Sequence, residues 1–264
     1  MENIKELRDK TGAGIVDCKK ALEESGGDIE KAVEILRKKG IAKAAKRSER
    51  ETSEGVIKVL TNEENNEAYI LEANAETDFV ALNEKFQNFA NQTINAIKTH
   101  KPGNLDELFN LPTAEGTVGE ALKNLSSVIG EKLEIKRFGV LTGDTVAAYS
   151  HMAGRIGVIV AIDKKDAKEL AYDLAMQIAA GNPRYITSDE VPAEEIDKEK
   201  AVYREQLLKE GKPENMIDKI MEGKINKYFD EVCLVGQDYI KDDKKKVKDI
   251  LGDVKVTKFI RYSL

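Results

Sequence analysis

The stretch GVIKVLTNEENNEAYILEA, residues 55–73, decides the fold class. Val56, Ile57, Val59 and Leu60 form one strand-like apolar run and Ala68, Tyr69, Ile70, Leu71 and Ala73 a second. The polar residues 62–66 lie between them, the pattern of a β-hairpin. Beyond it the period changes. Phe86, Phe89, Ala90, Ile94 and Ile97 fall on one side of a helix. Thr117 opens another helix with Glu120 at the fourth place, a capping-box pattern, and turns Val118, Ala121, Leu122, Leu125 and Ile129 inward. Residues 133–140 read as a strand, with Gly143 and Asp144 in a turn. The order strand, turn, strand, helix then returns roughly ninety residues after its first occurrence. Its second copy has strands at 145–152 and 156–161, a turn at Ala153 and Gly154, and a helix carrying Leu170, Leu174 and Ile178 that ends at Gly181. Two such copies predict a duplicated α+β core with antiparallel sheets.

The flanks read differently. Residues 1–39 predict three short helices, broken at residues 11–14 and 25–28, where glycines end a helix and Asp28 caps the next. Ile29, Ala32, Val33 and Leu36 make the stripe of the third helix; Ile4, Leu7, Ile15, Cys18 and Leu22 face it. The Ala/Lys/Arg stretch 40–50 lacks an apolar face and reads as a solvated helix or linker. Two helical runs flank Gly211, Lys212 and Pro213. Ile196, Val202, Tyr203 and Leu207 lie on the first, and Ile217, Ile220, Met221, Ile225 and Tyr228 on the second. A loop this short predicts an antiparallel helical hairpin that protrudes from the core. A last helix carries Val247, Ile250 and Leu251, and residues 254–262 a closing strand. The expected division is therefore a three-helix module at 1–40, a basic linker at 41–54, one core half at 55–140, and another at 141–264 with the hairpin at about 193–230.

Composition excludes several chemistries. The 264 residues include no Trp, 2 His and 2 Cys, with a formal charge of -6. That count rules out a His-rich or Cys-rich metal site, and Cys18 and Cys233 are too far apart in sequence for a zinc knuckle or a redox pair. There is no phosphate-binding GxxxxGK[ST] loop, GxSxG elbow, HExxH or strand-linked GxGxxG. The start lacks a signal-peptide core and no window is apolar enough for a membrane span, so a reducing, cytoplasmic setting is expected. Charge is uneven: residues 1–50 carry 13 basic and 10 acidic side chains, with seven basic residues between Arg37 and Arg50. Such a cluster is the footprint of nucleic-acid binding or of a solvated linker; it has no interleaved aromatics.

Few residues invite a specific role. His100 reads as a loop residue beside Pro102 and Gly103, and Cys18 as core. His151 ends a strand and is either an exposed contact or a satisfied strand-end histidine. The segment AETDFVALN, residues 75–83, has two readings. Thr77 or Asp78 caps a helix while Phe79 and Val80 pack into the core, or Phe79 is an exposed aromatic anchor beside a charge, as in an interface hot spot.

Four motifs in order resemble the bacterial elongation factor Ts family over essentially the whole chain. They are LRDKTGAGIVDCKKAL at 7–22, ETDFVA at 76–81, IGE at 129–131 with His151 and RIG at 155–157, and GKP at 211–213 leading to VCL at 232–234. The resemblance implies a ubiquitin-associated-like (UBA-like) first module and a guanine-nucleotide exchange factor acting on elongation factor Tu, without covalent chemistry. It implies no cofactor of its own and no nucleic-acid, direct nucleotide or membrane partner. By position, Thr77, Asp78, Phe79 and Val80 are the group that disturbs the partner's Mg²⁺ and phosphate site. Arg8, Ile15, Val16, Ile129, Gly130 and His151 match further contacts, with Ile15 and Val16 standing where the family often has methionine. Under this resemblance the stretch 37–50 is a linker.

Overall fold

The computed structural model describes residues 2–11, 13–46, 49–114 and 116–264, with the side chains of residues 2, 9 and 40–46 outside that description. The fold is α+β. Helices α1 (Glu2–Thr11), α2 (Ile15–Glu24) and α3 (Ile29–Lys46) come first and enclose Leu7, Cys18, Ala21, Leu22 and Ala32. The turn between α2 and α3 runs through Gly26 and Gly27 at φ 66° and 88°, left-handed backbone that glycine adopts without strain. Asp28 then accepts the Lys31 N–H at 3.0 Å, as its position before an apolar stripe predicts. Helix α3 continues past Gly40 to Lys46. Of the basic stretch, the side chains of Lys43 and Lys46, and Arg47 altogether, lie outside the described residues.

The hairpin read at 55–73 is β1 (Glu54–Thr61) and β2 (Glu67–Ala75). It is followed by the single turn α4 (Asp78–Ala81), α5 (Glu84–His100), α6 (Leu105–Asn110), the short pair β3 (Pro112–Thr113) and β4 (Gly116–Thr117), α7 (Val118–Ile129) and β5 (Leu133–Thr142). β2 lies between β1 and β5 in an antiparallel sheet. A second sheet has the order β10-β7-β6, from β6 (Thr145–His151), β7 (Ile156–Ile162) and, at the end of the chain, β10 (Val256–Ser263). Between β7 and β10 lie α8 (Lys168–Gly181), α9 (Ala193–Lys209), α10 (Glu214–Val232), the pair β8 (Asp238–Tyr239) and β9 (Asp242–Lys246), and α11 (Val247–Leu251).

Why both central strands are buried on two faces follows from the layering, although β2 also buries Asn74 and Glu72, the latter paired with Arg137 at 2.6 Å. Tyr69, Leu71 and Ile135 pack under Phe89, Ile94, Ile97, Leu108 and Val118 of α5, α6 and α7. Ile57, Ile70 and Leu141 pack instead on Val146, Ile159, Ala161 and Tyr262 of the second sheet. On that sheet's far side Val158, Val160 and Ile162 meet Ala171, Leu174, Ala175 and Ile178 of α8. The core is thus two sheets face to face with helices outside each, so β2 and β7 have no solvent side. Gly157 has no room for a Cβ, which would meet Ile57 and, at 3.1 Å, Val59; at Gly139 a Cβ would stand 2.6 Å from Ile260 Cδ1.

Some sequence expectations need correction. His100 is the last residue of α5, not a loop residue, because the helix runs on to a left-handed Lys101 cap whose N–H reaches Ile97 O. β6 stops at His151, since Met152 and Ala153 take φ of 50° and 55°. α9 and α10 pack through Leu207, Ile217 and Ile225, and Arg204 pairs with Glu214 and Asp218 at 3.6 Å, but Val202 stands half exposed. Their base is tied by Tyr185 and Arg184, which reach Glu195 at 2.8 and 2.9 Å, and by the Tyr228 hydroxyl on the same carboxylate. Among the described residues, no helix is long and apolar enough to cross a membrane.

Candidate functional site

The two readings of residues 75–83 are separated by which side of α4 faces inward. Val80 is 8% exposed and sits with Val56, Ala73, Ala75, Phe86 and Leu133, whereas Phe79 is 83% exposed. Capping and display therefore coexist: Thr77 Oγ1 accepts the Val80 N–H at 3.4 Å, and the ring points away from the core. The Asp78 carboxylate accepts the Phe79 N–H at 2.9 Å, so the charge lies at the foot of the ring. At the other end Asn83 caps α5 by accepting the Lys85 N–H at 2.9 Å, and Gln87 donates to Ala81 O at 2.6 Å.

A second element anchors the turn. The end of α7 is closed by Gly130 at φ 90°, whose N–H donates to Ser126 O at 2.9 Å, and the chain then delivers Glu131 to Thr77. Both the Thr77 N–H and hydroxyl donate to that carboxylate, at 3.1 and 2.8 Å. One residue earlier, Glu76 accepts the Lys132 N–H at 2.5 Å and pairs with Arg50 at 3.1 Å. Ile129 packs partly into the cluster that holds Val80. Thr77, Asp78, Phe79 and Val80 are therefore brought together with Ile129 and Gly130.

His151 reaches the same end of the sandwich from the second sheet. The turn after it passes over β1, with the Gly154 Cα so close that a Cβ would stand 2.8 Å from Val56 Cγ2. Val56 also belongs to the cluster beneath α4. Arg155 donates to Glu54 at 2.7 Å; that hydrogen bond and charge, with a further contribution from Asp78, hold its guanidinium more firmly protonated than usual. His151 itself is exposed, yet its Nδ1 is hydrogen-bonded with the Tyr149 hydroxyl at 3.0 Å, so both readings of this residue describe part of its setting. Tyr149 in turn meets Tyr172 edge to face at 5.7 Å.

Arg8, Ile15 and Val16 lie on the three-helix unit, exposed, with Ile15 and Val16 at the start of α2; Ile15, expected to face the stripe of α3, is 56% exposed and stands outside the cluster of Leu7, Cys18, Ala21, Leu22 and Ala32. That unit rests on the outer side of α7. Lys10, Thr11, Leu36 and Arg37 face Asn124, Ser127 and Val128 across a cleft of about 330 Å³. α7 therefore carries the three-helix unit along its length and α4 at its end. The geometry also singles out residues to which the motifs assign no role: Glu131, which fixes Thr77, and Leu82, 74% exposed on the same turn as Phe79. A leucine directly before a helix-capping Asn83 is the only sequence signal for the latter.

The surface at α4 presents the Phe79 ring, the Leu82 side chain and the exposed Asp78 carboxylate within one turn. Among the described residues, no group of three or more His, Cys, Asp or Glu is placed to hold a metal ion. Cys18 and Cys233 are free and buried, and burial pushes the Cys233 thiol up to about 11.

Comparison with known proteins places the chain in a family. The family model described as Elongation factor TS matches residues 76–264. The chain is 46% identical over 280 aligned positions to Elongation factor Ts of Chlorobaculum tepidum, covering 100% of this chain and 97% of the relative. It is 45% identical, with the same coverage, to Elongation factor Ts of Chlorobaculum parvum.

Proposed function

The chain belongs to the elongation factor Ts family, and on that premise we propose that it is a guanine-nucleotide exchange factor for elongation factor Tu. The observation that carries the reading is Phe79, displayed at 83% exposure on a turn fixed at both ends beside an acidic residue. Burying a ring that the free protein leaves in water is a large gain for a complex, the mark of an interface anchor. Asp78 and Phe79 enter the GTPase's nucleotide-binding domain near its Mg²⁺ site, with Thr77 and Val80 holding them in place. Ile129, Gly130 and His151 extend this contact from the same end of the core, and Arg8, Ile15 and Val16 add one from the three-helix unit.

The mechanism is linkage. A protein that binds the empty GTPase more tightly than the nucleotide-bound form must weaken nucleotide binding by the same factor. Displacing Mg²⁺ removes charge neutralisation from the phosphates, so GDP leaves without any covalent step. GTP then rebinds and expels the factor, which needs no cofactor of its own and works in the cytoplasm. In this reading residues 1–40 are a UBA-like module, 41–54 a basic linker, 55–140 and 141–264 the two halves of a duplicated core, and 193–230 a helical hairpin that forms a second contact arm. The strand–strand–helix order around each sheet supports the duplication.

The test is release of a fluorescent GDP analogue from elongation factor Tu. The wild-type protein accelerates it, and Phe79→Ala slows it by a factor of about 30 or more, the scale of a hot-spot truncation. Acceleration no greater than that given by albumin refutes the reading.

A further inference from the structure

Leu82 is an expensive residue where it stands. Its backbone is in the ordinary right-handed region, at φ -87° and ψ -6°, and its N–H donates to Asp78 O at 3.0 Å. Any polar side chain would satisfy that geometry, yet a leucine occupies it with 74% of its surface in water. A single exposed leucine is ordinary. This one lies three residues after Phe79 on a single helical turn, and residues so spaced stand on the same helical face. The pair between them, Val80 and Ala81, takes the inward face and is buried. The turn therefore divides cleanly, two residues into the core and two apolar side chains out on one side.

The backbone that carries both outward side chains is held at each end. Thr77, held by Glu131, fixes the start of the turn; Asn83 and the Gln87 bond to Ala81 O fix its end. Leu82 thus shares with Phe79 a backbone held on both sides, and any surface that closes on the ring closes on the leucine as well.

We propose that Leu82 is a second apolar anchor for the GTPase, entering the same crevice of its nucleotide-binding domain as Phe79. This rests on the exchange-factor reading and deepens it. The crevice it requires is an apolar one wide enough for an aromatic ring and a branched aliphatic chain side by side. A slot for one ring would leave Leu82 at the rim.

The experiment compares wild-type protein, Phe79→Ala, Leu82→Ala and Leu82→Met. It measures affinity for nucleotide-free elongation factor Tu, release of a fluorescent GDP analogue, and thermal unfolding of each free variant. Leu82→Ala weakens binding about tenfold, the value of burying most of a leucine's removed methyl groups. Leu82→Met, which keeps the apolar volume, restores binding to within about threefold of wild type. Neither changes the melting temperature, because the side chain is outside the core. Unchanged affinity in Leu82→Ala, together with wild-type activity and a loss in Phe79→Ala, overturns the second anchor and leaves the exchange reading intact. A wild-type protein that does not accelerate release removes both.

Discussion

Removing the Glu131 carboxylate tests whether the display of Phe79 is built by α7. In Glu131→Ala the Thr77 N–H and hydroxyl lose acceptors at 3.1 and 2.8 Å. Hydrogen bonds to a charged partner contribute about 1.5–3 kcal/mol each when buried; these groups are half-buried, so about 2 kcal/mol for the pair is the appropriate scale. That loss falls on α4 rather than on the sheets, and it raises the open population of the turn about thirtyfold. The amides that report it are those of Ala81 and Leu82, which donate to Thr77 O and Asp78 O at 3.1 and 3.0 Å. Their hydrogen-exchange protection falls about thirtyfold while that of β2 and β7 is unchanged. A turn open about 1% of the time becomes open about a quarter of the time, so nucleotide exchange falls by only about that fraction. Phe79→Ala does the reverse, abolishing most exchange activity while leaving amide protection in place. Protection of Ala81 and Leu82 within twofold of wild type in Glu131→Ala refutes the latch.

Three further outcomes follow from packing and burial. Gly157→Ala inserts a methyl group against Ile57 and Val59 between the two sheets and is expected to destabilise the fold by about 1–3 kcal/mol, read as a lowered unfolding midpoint in urea. Cys18 and Cys233 are buried, the latter pushed up to about 11, so neither reacts with a thiol reagent at pH 8 until denaturant is added; two thiols titrated in the native state contradict this. Burial, then the bonds to Glu195 and Asp173, pushes Tyr228 and Tyr239 up to about 12. Because the folded state favours the neutral phenols, their contribution is complete below about pH 10 and lost as pH rises towards 12, visible as late tyrosinate absorbance coinciding with alkaline unfolding.

Most of the architecture is legible where side chains alternate or repeat at helical spacing. The runs around Ile57 and Ile70, the α5 stripe from Phe86 to Ile97 and the Thr117–Glu120 box all point to the elements they form. Elements held mainly by backbone bonds are not legible in this way. β9 reads DDKKK, which no strand pattern selects, and it pairs with β8 at Asp238 and Tyr239. α6 has six residues and one buried leucine, Leu108, too few for a period. At the candidate site, the motif at 76–81 falls on α4, but the direction of Phe79 depends on Val56, Phe86 and Leu133, which come from three other elements and claim Val80 instead. Glu131 and Leu82 are invisible for the same reason: one acts across 54 residues of sequence, and the other matters only because of the side its turn presents.

Because α4 is capped by Thr77 at one end and followed by the Asn83 cap of α5 at the other, the backbone that carries Phe79 is held before any partner arrives. The backbone entropy of the turn is already lost, and only side-chain rotamers remain to be ordered in the encounter. Arrival then needs no backbone rearrangement of this turn, and at the usual ~10⁵–10⁷ M⁻¹s⁻¹ differences among variants of the turn appear chiefly in how long the complex survives. In the proposed exchange reaction a returning nucleotide acts on that residence time, shortening the stay of the factor.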